Sequence, residues 1–120
     1  MSKNDKSINT SQMKESFGEY IRKLRNEKGF TLTQLAAQLD IDSANLSKIE
    51  TGKRELDEKK LPKLSEIFSL NEDDLKEEYF SEKIARKLYE TNCSEKTLVL
   101  AEQKIRYYKQ KGTKQGELNL

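Results

Sequence analysis

Apolar residues recur along this chain at intervals of three and four, the spacing of helices that bury one face. Phe17, Ile21 and Leu24 fall at i, i+4 and i+7, and Gly29 follows Lys28 as a stop signal. Leu32, Leu35, Ala36 and Leu39 fall at i, i+3, i+4 and i+7, with Thr31 in the capping position. Asp42 is placed to cap a third short helix whose apolar side is Leu46 and Ile49 and which ends at Gly52. Leu61, Leu64, Ile67 and Phe68 mark a fourth helix, with Pro62 tolerable only in its first turn. Asn71 caps a fifth, built on Leu75 and Tyr79. Glu72, Asp73 and Asp74 give its first turn the negative charge that suits a helix N-terminus.

The pattern shifts after about residue 80. Phe80, Ile84 and Leu88 form one more apolar stripe, and Thr91-Asn92-Cys93-Ser94 reads as a break. Leu98, Ala101, Ile105 and Tyr108 then make a short heptad-like seam. No period-two alternation of β-branched residues competes with these helices, so the predicted class is all-α. The expected organisation is a polar, disordered tail over 1–12 and a five-helix unit over 13–80. A C-terminal helical extension over 81–111 and a frayed end over 112–120 follow.

Composition narrows the function. The 120 residues include one Cys, one Pro and no His, and no apolar run nears the ~20 residues of a membrane helix. A lone Cys93 excludes an intrachain disulfide framework, and the lack of His removes most zinc and triad chemistry. The N-terminal MSKNDKSINTS has no apolar core of a secretory signal. These features predict a cytoplasmic protein that is not an enzyme, with no cofactor, metal, membrane or small-molecule ligand. Asp40-x-Asp42 opens like a calcium loop but continues with Ala44 and Asn45 where a ligand and a Gly are required. Ser11-x-x-Lys14 matches a serine–lysine pattern in spelling alone. Cys93 has no His to activate it and reads as a packing residue.

The third helix is unusual. With Leu46 and Ile49 turned inward, it presents Ser43, Ala44, Asn45, Ser47 and Lys48 outward. A face serving only solubility normally carries more Glu and Lys, as the fourth and fifth helices do. Short hydrogen-bonding side chains with a single charge suit a surface that meets polar groups in a groove.

The stretch from Leu35 to Arg54, L-A-x-x-L-x-I-x-x-x-x-L-S-x-I-E-x-G-K-R, resembles the DNA-binding domain of the Cro/cI-type helix-turn-helix (XRE) family. The similarity covers about residues 17–79, and restriction–modification controllers, phage repressors and antitoxins are among the small proteins of this type. The resemblance implies that Ser43, Ala44, Asn45 and Lys48 face base edges of double-stranded DNA. It implies phosphate contacts from Thr33, Gln34, Ser47, Thr51, Lys53 and Arg54. Many relatives place at position 32 a Gln that contacts phosphate. Leu32 cannot do so, which shifts that load to Thr31, Thr33 or Gln34. The resemblance also pairs Glu50 with Arg25 on the first helix, in a bidentate arrangement that would set the angle of the recognition helix. The side-chain chemistry is compatible: Asn45 can pair with adenine N6 and N7, Lys48 can donate to guanine, and Ala44 can meet a thymine methyl. The alternative for Asn45 and Lys48 is an ordinary solvated helix surface.

A single copy of such a motif offers few base contacts, so a homodimer reading two half-sites is expected. Ile84, Leu88, Leu98, Ala101, Ile105 and Tyr108 are the candidate interface. The alternative is that the extension packs only on its own subunit, because two heptads are too short for an independent coiled coil. The basic–aromatic stretch Lys104–Lys111 is read as a helix end with dipole-favoured cations rather than as a DNA contact. The leading function is a transcription regulator acting on a palindromic operator. The alternatives are an antitoxin-like module whose residues 81–120 mask a partner protein, and a purely structural bundle. A net charge of +2 is a poor footprint for nucleic acid only until it is divided. Residues 57–92 carry 7 basic against 10 acidic side chains, whereas residues 93–120 carry 6 against 3. The acidic excess therefore lies away from the third helix.

Overall fold

The computed structural model describes residues 15–112; the tail expected over 1–12, all of the end expected over 112–120 except Gly112, and Ser11-x-x-Lys14 lie outside the described residues. The helices are α1 (Phe17–Lys28), α2 (Leu32–Gln38), α3 (Ser43–Glu50), α4 (Leu61–Phe68), α5 (Glu72–Thr91) and α6 (Lys96–Gln110). A single 3-10 turn over Glu58–Lys60 precedes α4. There is no strand among the described residues. The chain divides between Glu82 and Lys83 into two units.

Side chains cap the starts of α1, α2, α3 and α5. Ser16 opens α1 with a reciprocal capping box: its hydroxyl accepts from Glu19 N–H at 3.1 Å, and the Glu19 carboxylate accepts from Ser16 N–H at 3.0 Å. Thr31 and Gln34 repeat the device at α2, at 3.1 and 2.8 Å. The Asp42 carboxylate accepts from Asn45 N–H at 2.6 Å and so starts α3. Asp42 is thus a cap, and Asp40, at φ 60°, is a left-handed turn residue; the calcium-like spelling is helix punctuation. Asn71 accepts from Asp74 N–H at 2.9 Å before α5. Gly29 closes α1 at φ 78°, where any side chain would be strained.

The core of this unit gathers one face from every helix. Ile21, Leu35, Leu39, Leu46, Leu61 and Leu64 are fully buried, with Phe17, Ala36, Ile49, Leu56, Leu75 and Tyr79 around them. Each such aliphatic side chain contributes roughly 1.5–3 kcal/mol of burial. Leu32, at the position where the resemblance implies a phosphate-contacting Gln, packs against this core. The Tyr79 hydroxyl donates to the Leu56 carbonyl at 2.5 Å and anchors the loop between α3 and α4 to α5. The Glu82 carboxylate accepts from Phe17 N–H at 2.7 Å, so the same helix also holds an orphan donor of α1.

Sequence periodicity suggests a change of element near residue 80, but α5 runs without interruption from Glu72 to Thr91. Leu75 and Tyr79 lie on one side of it. Phe80, Ile84 and Leu88 follow a stripe rotated by one residue, about 100° around the axis. With no Gly or Pro between them, the backbone continues while the apolar face turns. The expected break does occur at Asn92, which takes φ 63°.

In the second unit, the Ser94 hydroxyl accepts from Lys96 N–H at 3.3 Å at the start of α6. That helix buries no residue. Leu98, Val99, Leu100, Ile105 and Tyr107 are each 45–55% exposed. Cys93 is exposed rather than packed, which corrects the expectation of a packing role. No helix is long and apolar enough to cross a membrane among the described residues.

Candidate nucleic-acid interface

Helices α2 and α3 pack against each other, and α1 packs against α3. The connection Leu39–Asp42 is short because Ile41 N–H returns to the Ala36 carbonyl at 3.0 Å while its side chain packs on the core. Ala36, 2% exposed, has no bulk to hold the two helices apart. Sequence reading did not single out Gly18 of α1, which lies against the C-terminal end of α3. A Cβ on Gly18 would stand 2.2 Å from the Ile49 carbonyl oxygen.

A buried ion pair fixes the same end of α3. Arg25 Nε donates to Glu50 Oε2 at 2.7 Å and Arg25 Nη2 to Glu50 Oε1 at 3.0 Å, the two-pronged geometry of guanidinium on carboxylate. Arg25 Nη1 donates to the Phe30 carbonyl at 3.0 Å. The Glu50 side chain is 4% exposed and that of Arg25 12%. The hydrogen bonds that Arg25 donates to the Glu50 carboxylate favour the charged guanidinium and raise Arg25 above its ordinary value, against the opposing effect of burial. One side chain therefore ties α1, the α1–α2 turn and α3 together.

With Leu46 and Ile49 inside, the outer side of α3 carries Ser43, Ala44, Asn45, Ser47 and Lys48. Ala44 and Lys48 are exposed and the other three half-buried. Thr33 and Gln34 stand exposed in the first turn of α2. Gln34 spends its carbonyl oxygen on the capping box, so its amide NH2 is the group turned outward. Lys53 and Arg54 are exposed just past α3.

Two features of this surface were not legible in the residue pattern. The backbone N–H groups of Thr51, Gly52 and Lys53 all return to α3 carbonyls, at 3.1, 3.2 and 2.8 Å. The Thr51 hydroxyl also donates to the Ser47 carbonyl, at 3.0 Å. The donors of this turn thus finish the helix. In addition, Arg54 Nη1 donates to Asn45 Oδ1 at 3.0 Å, joining a residue expected at phosphate to one expected at a base edge.

The candidate dimer residues all lie in the second unit. Ile84, Leu98, Ala101 and Ile105 are exposed, and Leu88 and Tyr108 half-buried. Among the described residues, no group of His, Cys, Asp and Glu is arranged to hold a metal ion.

Comparison with known proteins places this geometry. A helix-turn-helix domain family matches residues 18–79. The chain is 40% identical over 83 residues to the HTH-type transcriptional repressor RghR of Bacillus subtilis (strain 168). That match takes in 66% of this chain and 62% of the relative, so the chain spans less than two thirds of the relative's length. Among solved structures, it is similar to the restriction–modification controller protein C.AhdI from Aeromonas hydrophila, at 27% identity and TM-score 0.44 over 49% of this chain and 86% of that one. It is also similar to the clp gene regulator ClgR from Corynebacterium glutamicum, at 24% identity and TM-score 0.47 over 68% of this chain and 96% of that one. A third similar structure is the SinR protein/SinI protein complex, at 27% identity and TM-score 0.45 over 77% and 98% of the two chains.

Proposed function

The chain belongs to the helix-turn-helix domain family, and from that membership we propose that it is a sequence-specific DNA-binding regulator of transcription that meets a palindromic operator as a homodimer. The observation that carries this reading is the mounting of α3. Its inner side is locked by Leu46, Ile49 and the Arg25–Glu50 pair, while its outer side offers short polar groups and a single charge. A helix held this firmly by its inner face can present its outer row to base edges in a major groove. Ser43, Ala44, Asn45 and Lys48 form that row. Thr33, Gln34, Ser47, Lys53 and Arg54 flank it with donors for phosphate oxygens. Description of the Bacillus relative as a repressor supports regulation by blocking transcription.

The second unit supports the dimer. Its helix α6 buries no side chain, yet it carries Leu98, Ala101, Ile105 and Tyr108 along one side. A second copy offering the same stripe, with Ile84 and Leu88, would remove this surface from water and set two recognition helices on one duplex. Selection of bound fragments from a random DNA library, at two salt concentrations, tests the reading. An enriched inverted repeat is expected. Salt-sensitive binding without any enriched repeat would overturn it in favour of non-specific association.

A further inference from the structure

The outer row of α3 contains one side chain whose orientation is ambiguous by nature. An asparagine amide has an acceptor oxygen on one side and an NH2 donor on the other, and rotation by half a turn about its last bond exchanges them. An exposed amide can therefore offer a groove either edge. Arg54 removes that freedom. A guanidinium has donors only, so it can bond the oxygen of Asn45 and never the nitrogen. The 3.0 Å contact from Nη1 to Oδ1 turns the oxygen toward Arg54 and leaves the NH2 as the opposite edge. The residue is held from its backbone side as well, where its N–H donates to the Asp42 carboxylate at 2.6 Å.

Resting on the reading of α3 as the base-reading helix, we infer that Arg54 is a positioning residue that sets which edge of Asn45 enters the groove, and thereby the base preference at one position of each half-site. The amide enters as a donor. The base it favours presents an acceptor in the major groove: a purine N7, guanine O6 or thymine O4. A cytosine amino group at the same place is disfavoured. This replaces the two-bond adenine pairing that the residue type suggests, because that pairing needs the amide oxygen that Arg54 already bonds. It also separates two roles for the basic pair after α3. Lys53 adds charge toward phosphate, and the planar fork of Arg54 adds orientation.

Selection from a random DNA library with the full chain and the variants Asn45→Ala, Arg54→Lys and Lys53→Ala tests this. Lysine at position 54 keeps the charge but lacks the fork. Expected for Arg54→Lys is an enriched repeat that loses about fivefold or more of its preference at the same position that Asn45→Ala flattens. Lys53→Ala should lower affinity for all sequences alike. An Arg54→Lys repeat identical to that of the wild type, merely bound more weakly, overturns the positioning role and leaves DNA reading intact. If the wild type enriches no repeat, DNA reading itself fails and the positioning role falls with it. In the DNA-free protein, the Asn45 side-chain NH2 resonances are expected to shift in Arg54→Lys. Unchanged resonances would overturn the contact on which the inference stands.

Discussion

Gly18 and Ile49 approach so closely that no side chain fits between them. A Cβ on Gly18 would lie 2.2 Å from the Ile49 carbonyl oxygen and 2.9 Å from that of Glu50. These are backbone atoms at the end of α3 and cannot step aside as a flexible side chain can. Gly18→Ala must therefore push α1 away from α3, although alanine is the better helix former. The expected cost is about 1–3 kcal/mol, as for overpacking elsewhere in a core. Thermal unfolding of the variant checks it, and an equal or higher melting temperature would show that the approach is not tight in solution.

Glu50→Ala should be more damaging. It strands Arg25, whose side chain is 12% exposed, with a buried charge and two unmet donors. Breaking a buried pair from one side costs about 3–5 kcal/mol. Both the melting temperature and the affinity for DNA should fall, because the pair ties the end of α3 to α1. An unchanged melting temperature would mean that the pair contributes nothing to the fold.

Glu78 supplies a pH-dependent test. Desolvation, with Glu15 and Glu82 nearby, pushes its carboxyl above the ordinary 4.5. The folded chain then holds this proton more tightly than the unfolded chain does. Its contribution to stability is full below 4.5 and is lost as pH rises through the folded value. At pH 7 the ionised carboxylate thus works against the fold. Glu78→Gln should raise the melting temperature at pH 7, and the gain should shrink as the pH is lowered through the carboxylate range. A gain that is the same at every pH would point to a cause other than charge.

The seam on α6 predicts the oligomeric state. Like charges placed within it, as in Leu98→Glu combined with Ile105→Glu, should convert a dimer into a monomer by light scattering at micromolar concentration while helicity of the first unit is kept. A monomeric wild-type chain at that concentration would remove the dimer from the proposal.

Sequence alone determined the elements of this protein, because their causes are local. The spacing of apolar residues names the helices, and Thr31, Asp42, Asn71 and Gly29 stand where their caps and stops occur. The motif from Leu35 to Arg54 was enough to name the family and to pair Arg25 with Glu50, which the structure holds at 2.7 and 3.0 Å. Only tertiary structure decided what depends on residues distant in the chain or on rotation about an axis. The apolar face of α5 turns near residue 80 while the helix itself runs on, and the division into two units falls inside that helix, between Glu82 and Lys83. The need for glycine at position 18 arises from a carbonyl 31 residues away, a contact that no local pattern encodes. The bond from Arg54 to Asn45 needs the turn after α3 to fold back on its first residues. Composition and periodicity specify which groups are available; packing settles which of them meet.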